Sequence, residues 1–442
     1  RGLGDVYKRQ LMDNTWLEKN KSIIENRNWE QYPLSLAQRA AMTVIDMEGR
    51  VLAMANYPTY DLNALTAAGK ESQEILTDTR NVLMNYNIHA RGTPGSIFKM
   101  VSGLGALIDG KLYTNETISD GGYFTKYNSD LSTAPKCWIS ESQRYKHQYQ
   151  TIVEGLSHSC NYFFYTLGDR LGETRLYQYA ANFGFTSKTG IDLPGEVRSV
   201  VGCLNRCVKR LMDMAVNTNQ ADWVQSMRPI LMEELNMTRE MVHLQVVIGD
   251  TYNYLNDIKW GGSQTIQVAI GQSITTVSPA AVARYVAALG NGGKVYNLTI
   301  VDSITSPEGD IVSQRTPSLM HDFGEDSPNT AEYLSYILKG MEGVVDESGT
   351  AERYFRNWQY QKDICAKTGT AEVTTLDLEN NAWFVMLAPK ENPEIAVVVF
   401  IPSGLSGGMA GVAAREFVGW YMDQKTLRSV DVVFPSGNTL AP

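Results

Sequence analysis

Metal-finger and disulfide signatures are both missing: no two of the five cysteines stand as Cys-x-x-Cys, and the five histidines are scattered. Neither a zinc site nor a disulfide framework is therefore expected. Cys203 and Cys207 are near enough to pair, but all five cysteines (Cys137, Cys160, Cys203, Cys207 and Cys365) read as free thiols. Basic runs are absent too. Acidic residues outnumber basic ones by 48 to 39, the formal charge is −9, and no nucleic-acid partner is expected. No uninterrupted apolar stretch reaches the roughly 18 residues of a membrane span. The best run, 395–402, has strand length, and neither internal repeats nor low-complexity tracts occur.

What remains is ordinary globular composition, 43% hydrophobic and 20% charged, in 442 residues. That length suggests two or three domains, or one large domain with insertions. Asp5-Val6-Tyr7-Lys8-Arg9-Gln10 resembles a translated transposon-end sequencing adapter, so residues 1–10 are expected to be foreign and are set aside.

Residues 40–56 form two apolar runs around Met47-Glu48-Gly49-Arg50, the pattern of a β-hairpin. A second pair lies near the other end, 383–389 and 395–401 about a Lys390–Pro393 turn, followed by a helical stretch over 412–424. Hairpins imply antiparallel pairing, so one sheet assembled from both chain ends is expected. Helical patterns cover 96–107, 152–167, 174–183, 279–289 and 331–344. The fold class is thus α+β, an antiparallel sheet flanked by helices with an all-helical subdomain. Residues 197–262, Met-rich and without strand signal, read as an insertion.

Three short motifs carry the chemistry. In Arg91-Gly92-Thr93-Pro94-Gly95-Ser96-Ile97-Phe98-Lys99 a Pro-Gly turn precedes an apolar helical stretch, so Ser96 stands near a helix N-terminus with Lys99 one turn on. Free N–H groups there can stabilise an oxyanion, and a lysine kept neutral by burial can take a serine proton. A capping serine with a solvated lysine is the plain alternative, although this is the chain's single Ser-x-x-Lys. Ser159-Cys160-Asn161 places a hydroxyl and an amide in an apolar helical context, where both need partners. A satisfied buried network competes with a catalytic reading. Ser327-Pro328-Asn329 and Ser436-Gly437-Asn438 match the same pattern in polar or terminal stretches and read as turns. Lys367-Thr368-Gly369-Thr370 leads into a β-like run, 371–375. On an edge strand, Gly369 would admit a substrate backbone while Lys367, Thr368 and Thr370 held a carboxylate. A second Lys-Thr-Gly, 188–190, runs into a Pro-Gly turn and is set aside as a decoy.

In this order the trio resembles the signature of penicillin-binding proteins and serine β-lactamases. The flanking segments Gly190-Ile191-Asp192-Leu193-Pro194-Gly195-Glu196, Ile270-Gly271-Gln272, Asn291-Gly292-Gly293 and Ala366-Lys367-Thr368-Gly369-Thr370-Ala371-Glu372 narrow it. Residues 39–425 are similar to class B, monofunctional penicillin-binding proteins, the peptidoglycan D,D-transpeptidases of elongation or division. The resemblance implies Ser96 as nucleophile on the penultimate D-Ala carbonyl of a stem peptide and Lys99 as its base. Ser159 would relay a proton to the leaving amine, Asn161 would orient Lys99 and the substrate amide, and Lys367, Thr368 and Thr370 would bind the terminal carboxylate. Backbone N–H groups of Ser96 and Thr370 would form the oxyanion hole.

It further implies a transpeptidase domain over 39–430, a remnant of an N-terminal pedestal over 11–38 and a tail over 431–442. No cofactor or metal is expected. The expected partners are stem peptides, β-lactams and membrane proteins of wall synthesis, including a glycosyltransferase. The expected location is the outer face of a bacterial cell membrane, with the anchor upstream of this sequence. Ala366 and Ser273 stand where that family usually has glycine. A serine β-lactamase or D,D-carboxypeptidase, which sends water to the acyl-enzyme, is one alternative. A β-lactam sensor or non-catalytic scaffold of wall synthesis is another.

Overall fold

The structure, a computed structural model, describes residues 37–66, 69–202, 261–273, 275–371 and 380–429. The proposed insertion therefore lies almost wholly outside the described residues, as do the adapter-like start, nearly all of the pedestal remnant and the C-terminal tail. Cys203 and Cys207 fall outside them too.

Five antiparallel strands form the central sheet: β1 (Ala40–Asp46), β2 (Val51–Tyr57), β7 (Cys365–Ala371), β8 (Asn381–Ala388) and β9 (Ile395–Ile401). Their order is β2-β1-β9-β8-β7, so both chain ends contribute, as expected. Two small two-stranded antiparallel sheets, β3 (Lys294–Tyr296) with β6 (Leu319–Asp322) and β4 (Ser303–Thr305) with β5 (Ile311–Gln314), lie apart from it. The unbroken apolar runs of β8 and β9 follow from cover on both sheet faces. The helices named here are α1 (Lys99–Ile108), α2 (Ile152–Ser157), α3 (Asn161–Asn182), α4 (Gly262–Ala269), α5 (Pro279–Gly290), α6 (Thr330–Glu342), α7 (Glu352–Phe355) and α8 (Gly407–Ser429). On one face Val385, Leu387 and Val398 join the core of α1, α3 and α5. On the other, Phe384, Met386 and Val397 pack with Ala410, Ala414 and Val418 of α8.

Two sequence expectations need correction. The helix expected over 152–167 is two helices, α2 and α3, broken at His158-Ser159-Cys160, where Ser159 takes φ 54°. Helix α3 runs on past residue 167 and is interrupted at Gly172, whose φ 70° and ψ 169° are not helical, so a break does separate it from 174–183, as expected. Thr151 and Glu154 cap α2 reciprocally, and the Cys160 thiol accepts from Phe163 N–H at the start of α3, so both new ends are satisfied locally. The Lys367–Thr370 motif lies on β7, the last strand of the sheet, as expected; of the β-like run over 371–375 only Ala371, the end of β7, is described, and 372–375 lie outside the described residues. Helix α8 begins at Gly407, five residues before the apolar periodicity suggests. Gly407 reads as loop but is needed there, since a Cβ would lie 2.5 Å from Gly369 O and 2.6 Å from Trp383 O.

Candidate active site

The Ser96 turn is held from three sides. Trp383, fully buried on β8 and stacked on Phe400 with centroids 4.0 Å apart, donates Nε1–H to Thr93 O at 2.9 Å. Gly95 N–H donates to Gly271 O at 2.9 Å, and the Tyr285 hydroxyl on α5 donates to Ile97 O. Gly95 has φ 57°, and a Cβ there would lie 2.6 Å from Thr370 O. Only glycine lets the turn lie backbone to backbone against the edge strand. Ser96 falls in the 3-10 turn Gly95–Phe98 that opens into α1, near a helix start as expected.

Along β7, Lys367 pairs with Val385, Thr368 with Phe384 and Gly369 with Trp383, and β7 is the sheet's last strand. Side chains alternate across a strand, which places Lys367 on one face and Thr368 with Thr370 on the other. Lys367 Nζ lies 2.9 Å from Ser159 Oγ, and Lys99 Nζ reaches the same oxygen at 3.2 Å. Lys99 also donates to Asn161 Oδ1 and Ser159 O, each at 2.7 Å. The break between α2 and α3 makes this possible: the left-handed Ser159 offers carbonyl and hydroxyl to one amine, while Asn161 starts the next helix. Such a conformation is uncommon for a residue other than glycine and costs on the order of 1–3 kcal/mol.

Both amines are fully buried. Burial lowers the Lys99 pKa from 10.5 to about 8, with the thiols of Cys137 and Cys160 acting in the opposite direction. Lys367 is pushed well below the ordinary lysine value, first by burial and then by repulsion from Lys99. A neutral lysine near pH 7 to 8 is therefore within reach at this site.

Ser96, Ser159, Asn161, Thr368 and Thr370 line one cleft of about 350 Å³. The structure thus brings together in one site the three motifs singled out in the sequence. Lys188-Thr189-Gly190 forms a loop instead, where Thr189 N–H donates to Glu196 and Arg284 to Lys188 O. Ser327 and Asn329 form a turn, Asn329 N–H donating to Ser327 Oγ at 3.2 Å, while 436–438 lies outside the described residues. Sequence reasoning missed Trp138, Thr350, Asn380 and Ser406, which also line the cleft. Trp138 Nε1–H donates to Ser159 O at 3.0 Å. None of the four stands in a motif, and their positions follow only from tertiary folding.

The expectation of no zinc pattern is also corrected. Asp120, Cys137, His147 and Cys160 are all buried, and their donor atoms lie within 4.8 Å of one another. Cys137 Sγ is 3.8 Å from Cys160 Sγ and 3.4 Å from His147 Nδ1, and His147 Nδ1 is 3.3 Å from Asp120 Oδ2. A tetrahedral zinc with metal–sulfur bonds of about 2.3 Å places its sulfurs roughly 3.8 Å apart. The donors fit a closed four-coordinate zinc. With all four positions filled by protein, such an ion would be structural, tying residues 120–147 to the Ser159-Cys160-Asn161 segment. The spacing escapes sequence rules because the donors come from two loops, the end of a 3-10 helix over Glu141–His147 and a helix cap.

Comparison with known proteins gives the same architecture. Residues 40–419 match the family model described as the penicillin binding protein transpeptidase domain. The chain is 25% identical over 409 residues to peptidoglycan D,D-transpeptidase MrdA of Haemophilus influenzae, covering 88% of this chain and 53% of that protein. Stage V sporulation protein D of Bacillus subtilis is 24% identical over 386 residues, covering 86% and 47%. The chain spans about half the length of the curated relatives it matches. Among solved structures, PBP2 of Pseudomonas aeruginosa in complex with WCK 5153 superposes with a TM-score of 0.64 at 24% identity, covering 88% of this chain and 74% of that one. PBP2 of Helicobacter pylori, in complex with MreC, gives 0.64 at 21% identity, covering 90% and 61%. Among the described residues, no helix is long and apolar enough to cross a membrane. With the family model matched across most of its length and the fold shared with solved members, the chain belongs to the penicillin-binding protein transpeptidase family.

Proposed function

We propose that this chain is a serine-type peptidoglycan D,D-transpeptidase acting on stem peptides. The observation that carries the reading is the meeting of Lys99 and Lys367 on Ser159 Oγ, in a cleft shared with Ser96 and the exposed edge of β7. A stem peptide laid along β7 adds a strand to that edge. Its terminal carboxylate meets Lys367, Thr368 and Thr370, and that charge restores the proton that burial removes from Lys367.

Neutral Lys99 takes the Ser96 hydroxyl proton as Oγ bonds to the penultimate D-Ala carbonyl carbon. The resulting oxyanion is held by the backbone N–H groups of Ser96 and Thr370. Ser159 accepts hydrogen bonds from both ammonium groups, so both its lone pairs are engaged and its own proton points into the cleft. As the carbon–nitrogen bond breaks, that proton passes to the leaving D-Ala nitrogen, and the proton held on Lys99 replaces it. An amine of a second stem peptide then attacks the acyl-enzyme and regenerates Ser96. A β-lactam, carrying an acyl group and a carboxylate in similar places, acylates the same oxygen but leaves no departing fragment. Fluorescent penicillin tests this: covalent labelling of the wild type and none of Ser96→Ala is expected, and label at another residue overturns the assignment.

Membrane association on the outer face of the cell membrane belongs to the same reading. So does assembly with other wall-synthesis proteins, a glycosyltransferase and an MreC-like partner among them. The similarity to MrdA of H. influenzae and to the H. pylori PBP2 complex with MreC supports wall synthesis as the setting.

A further inference from the structure

Thr370 and Thr368 face the cleft from the same side of β7, yet their hydroxyls are backed differently. Thr370 Oγ1 accepts from Gly407 N–H at 3.0 Å, at the start of α8. A backbone N–H can only donate, so the Thr370 proton is free to point into the cleft. Thr368 Oγ1, in a side chain only 7% exposed, lies 2.7 Å from Thr350 Oγ1, and either oxygen can be the donor. Two arrangements exist. If Thr368 donates to Thr350, it turns lone pairs toward the cleft and repels a carboxylate. If Thr350 donates to Thr368, the Thr368 proton faces the cleft and the two hydroxyls form a chain that strengthens the outer bond.

The backbone around Thr350 is fixed, which keeps its hydroxyl beside Thr368, where it can donate in the second arrangement. Gly349 N–H donates to Asp346 O and Ala351 N–H to Val344 O, each at 2.9 Å, and Ala351 is fully buried beside it. A Cβ on Gly349 would lie 2.2 Å from Gly343 O, which fixes the approach of the loop to the end of α6. Thr350 itself lines the cleft.

We propose that Thr350 is a positioning residue for substrate recognition, donating to Thr368 so that Thr368 presents its proton to the terminal carboxylate of the stem peptide or β-lactam. This rests on the transpeptidase reading and on a carboxylate docking against β7. The test compares acylation of the wild type, Thr350→Val and Thr350→Ser by benzylpenicillin and by its methyl ester, with thermal melts to verify folding. Thr350→Val should lower the second-order acylation constant for benzylpenicillin about tenfold, the factor expected for one hydrogen bond to a charged group. The loss should fall on binding rather than on the limiting rate. The methyl ester should acylate wild type and Thr350→Val equally, and Thr350→Ser should restore the wild-type constant. If Thr350→Val does not fold, Thr350→Ala serves for the same comparison. Unchanged benzylpenicillin acylation in the folded variant, an equal loss with acid and ester, or no rescue by serine would overturn the proposal. A labelled wild type with an indifferent Thr350 variant sinks this inference alone. A wild type that never acylates sinks the transpeptidase reading and this inference with it.

Discussion

Lys99 and Lys367 meet on one oxygen: their Nζ atoms stand 3.2 Å and 2.9 Å from Ser159 Oγ. Burial lowers the pKa of both amines, and repulsion from Lys99 lowers Lys367 further, which makes a neutral lysine available near ordinary pH.

The first prediction is a pH profile. In the proposed mechanism acylation by benzylpenicillin requires neutral Lys99, whose pKa burial lowers from 10.5 to about 8. The acylation constant should rise about tenfold per pH unit below that value and level off above it. Lys99→Arg, charged at every accessible pH, should lose on the order of a hundredfold to ten-thousandfold throughout. Folding carries the matching sign. Between about 8 and 10.5 the unfolded chain binds the extra proton, so this lysine makes stability rise with pH across that window, and Lys99→Met should remove that slope.

A second prediction concerns the backbone-to-backbone contact at the nucleophile. Gly95→Ala would place a methyl 2.6 Å from Thr370 O at φ 57°. Strain of about 1–3 kcal/mol is expected, seen as a lower Tm, together with loss of penicillin labelling because Ser96 moves with the turn.

The residues behind these predictions were not equally legible in the sequence. The sheet from both chain ends was readable because β1, β2, β8 and β9 are apolar runs around obvious turns, and turns fix antiparallel neighbours. The three motifs were readable because each packs its chemistry within four residues. Helix continuity across Ser159 was not: the apolar pattern runs through the break, and only a tertiary demand, two lysines on one serine, holds φ positive there. Thr350 and Trp138 carry no local mark, since a partner reached through folding leaves no trace in spacing. The buried donors escaped for the same reason, helix α2 standing between His147 and Cys160 and a longer stretch between Asp120 and Cys160.

For those donors, protein expressed with zinc should retain one equivalent by elemental analysis. Cys160→Ser or His147→Ala should reduce that content and lower the Tm, whereas the same substitutions should matter much less to protein already stripped by a chelator. A wild type that binds no zinc and melts identically with and without chelator would contradict the donor geometry.

The acceptor is tested by turnover. Under the transpeptidase proposal a chromogenic cephalosporin should give a single burst stoichiometric with enzyme, because the proposed acyl-enzyme is resolved by an amine rather than by water. Rapid repeated hydrolysis would mark a β-lactamase instead.

Most direct is the intact mass after benzylpenicillin treatment, followed by peptide mapping. The account predicts a stable adduct of one penicillin per chain on the peptide containing Ser96, absent in Ser96→Ala. An unmodified wild type, or an adduct that maps elsewhere, would contradict it.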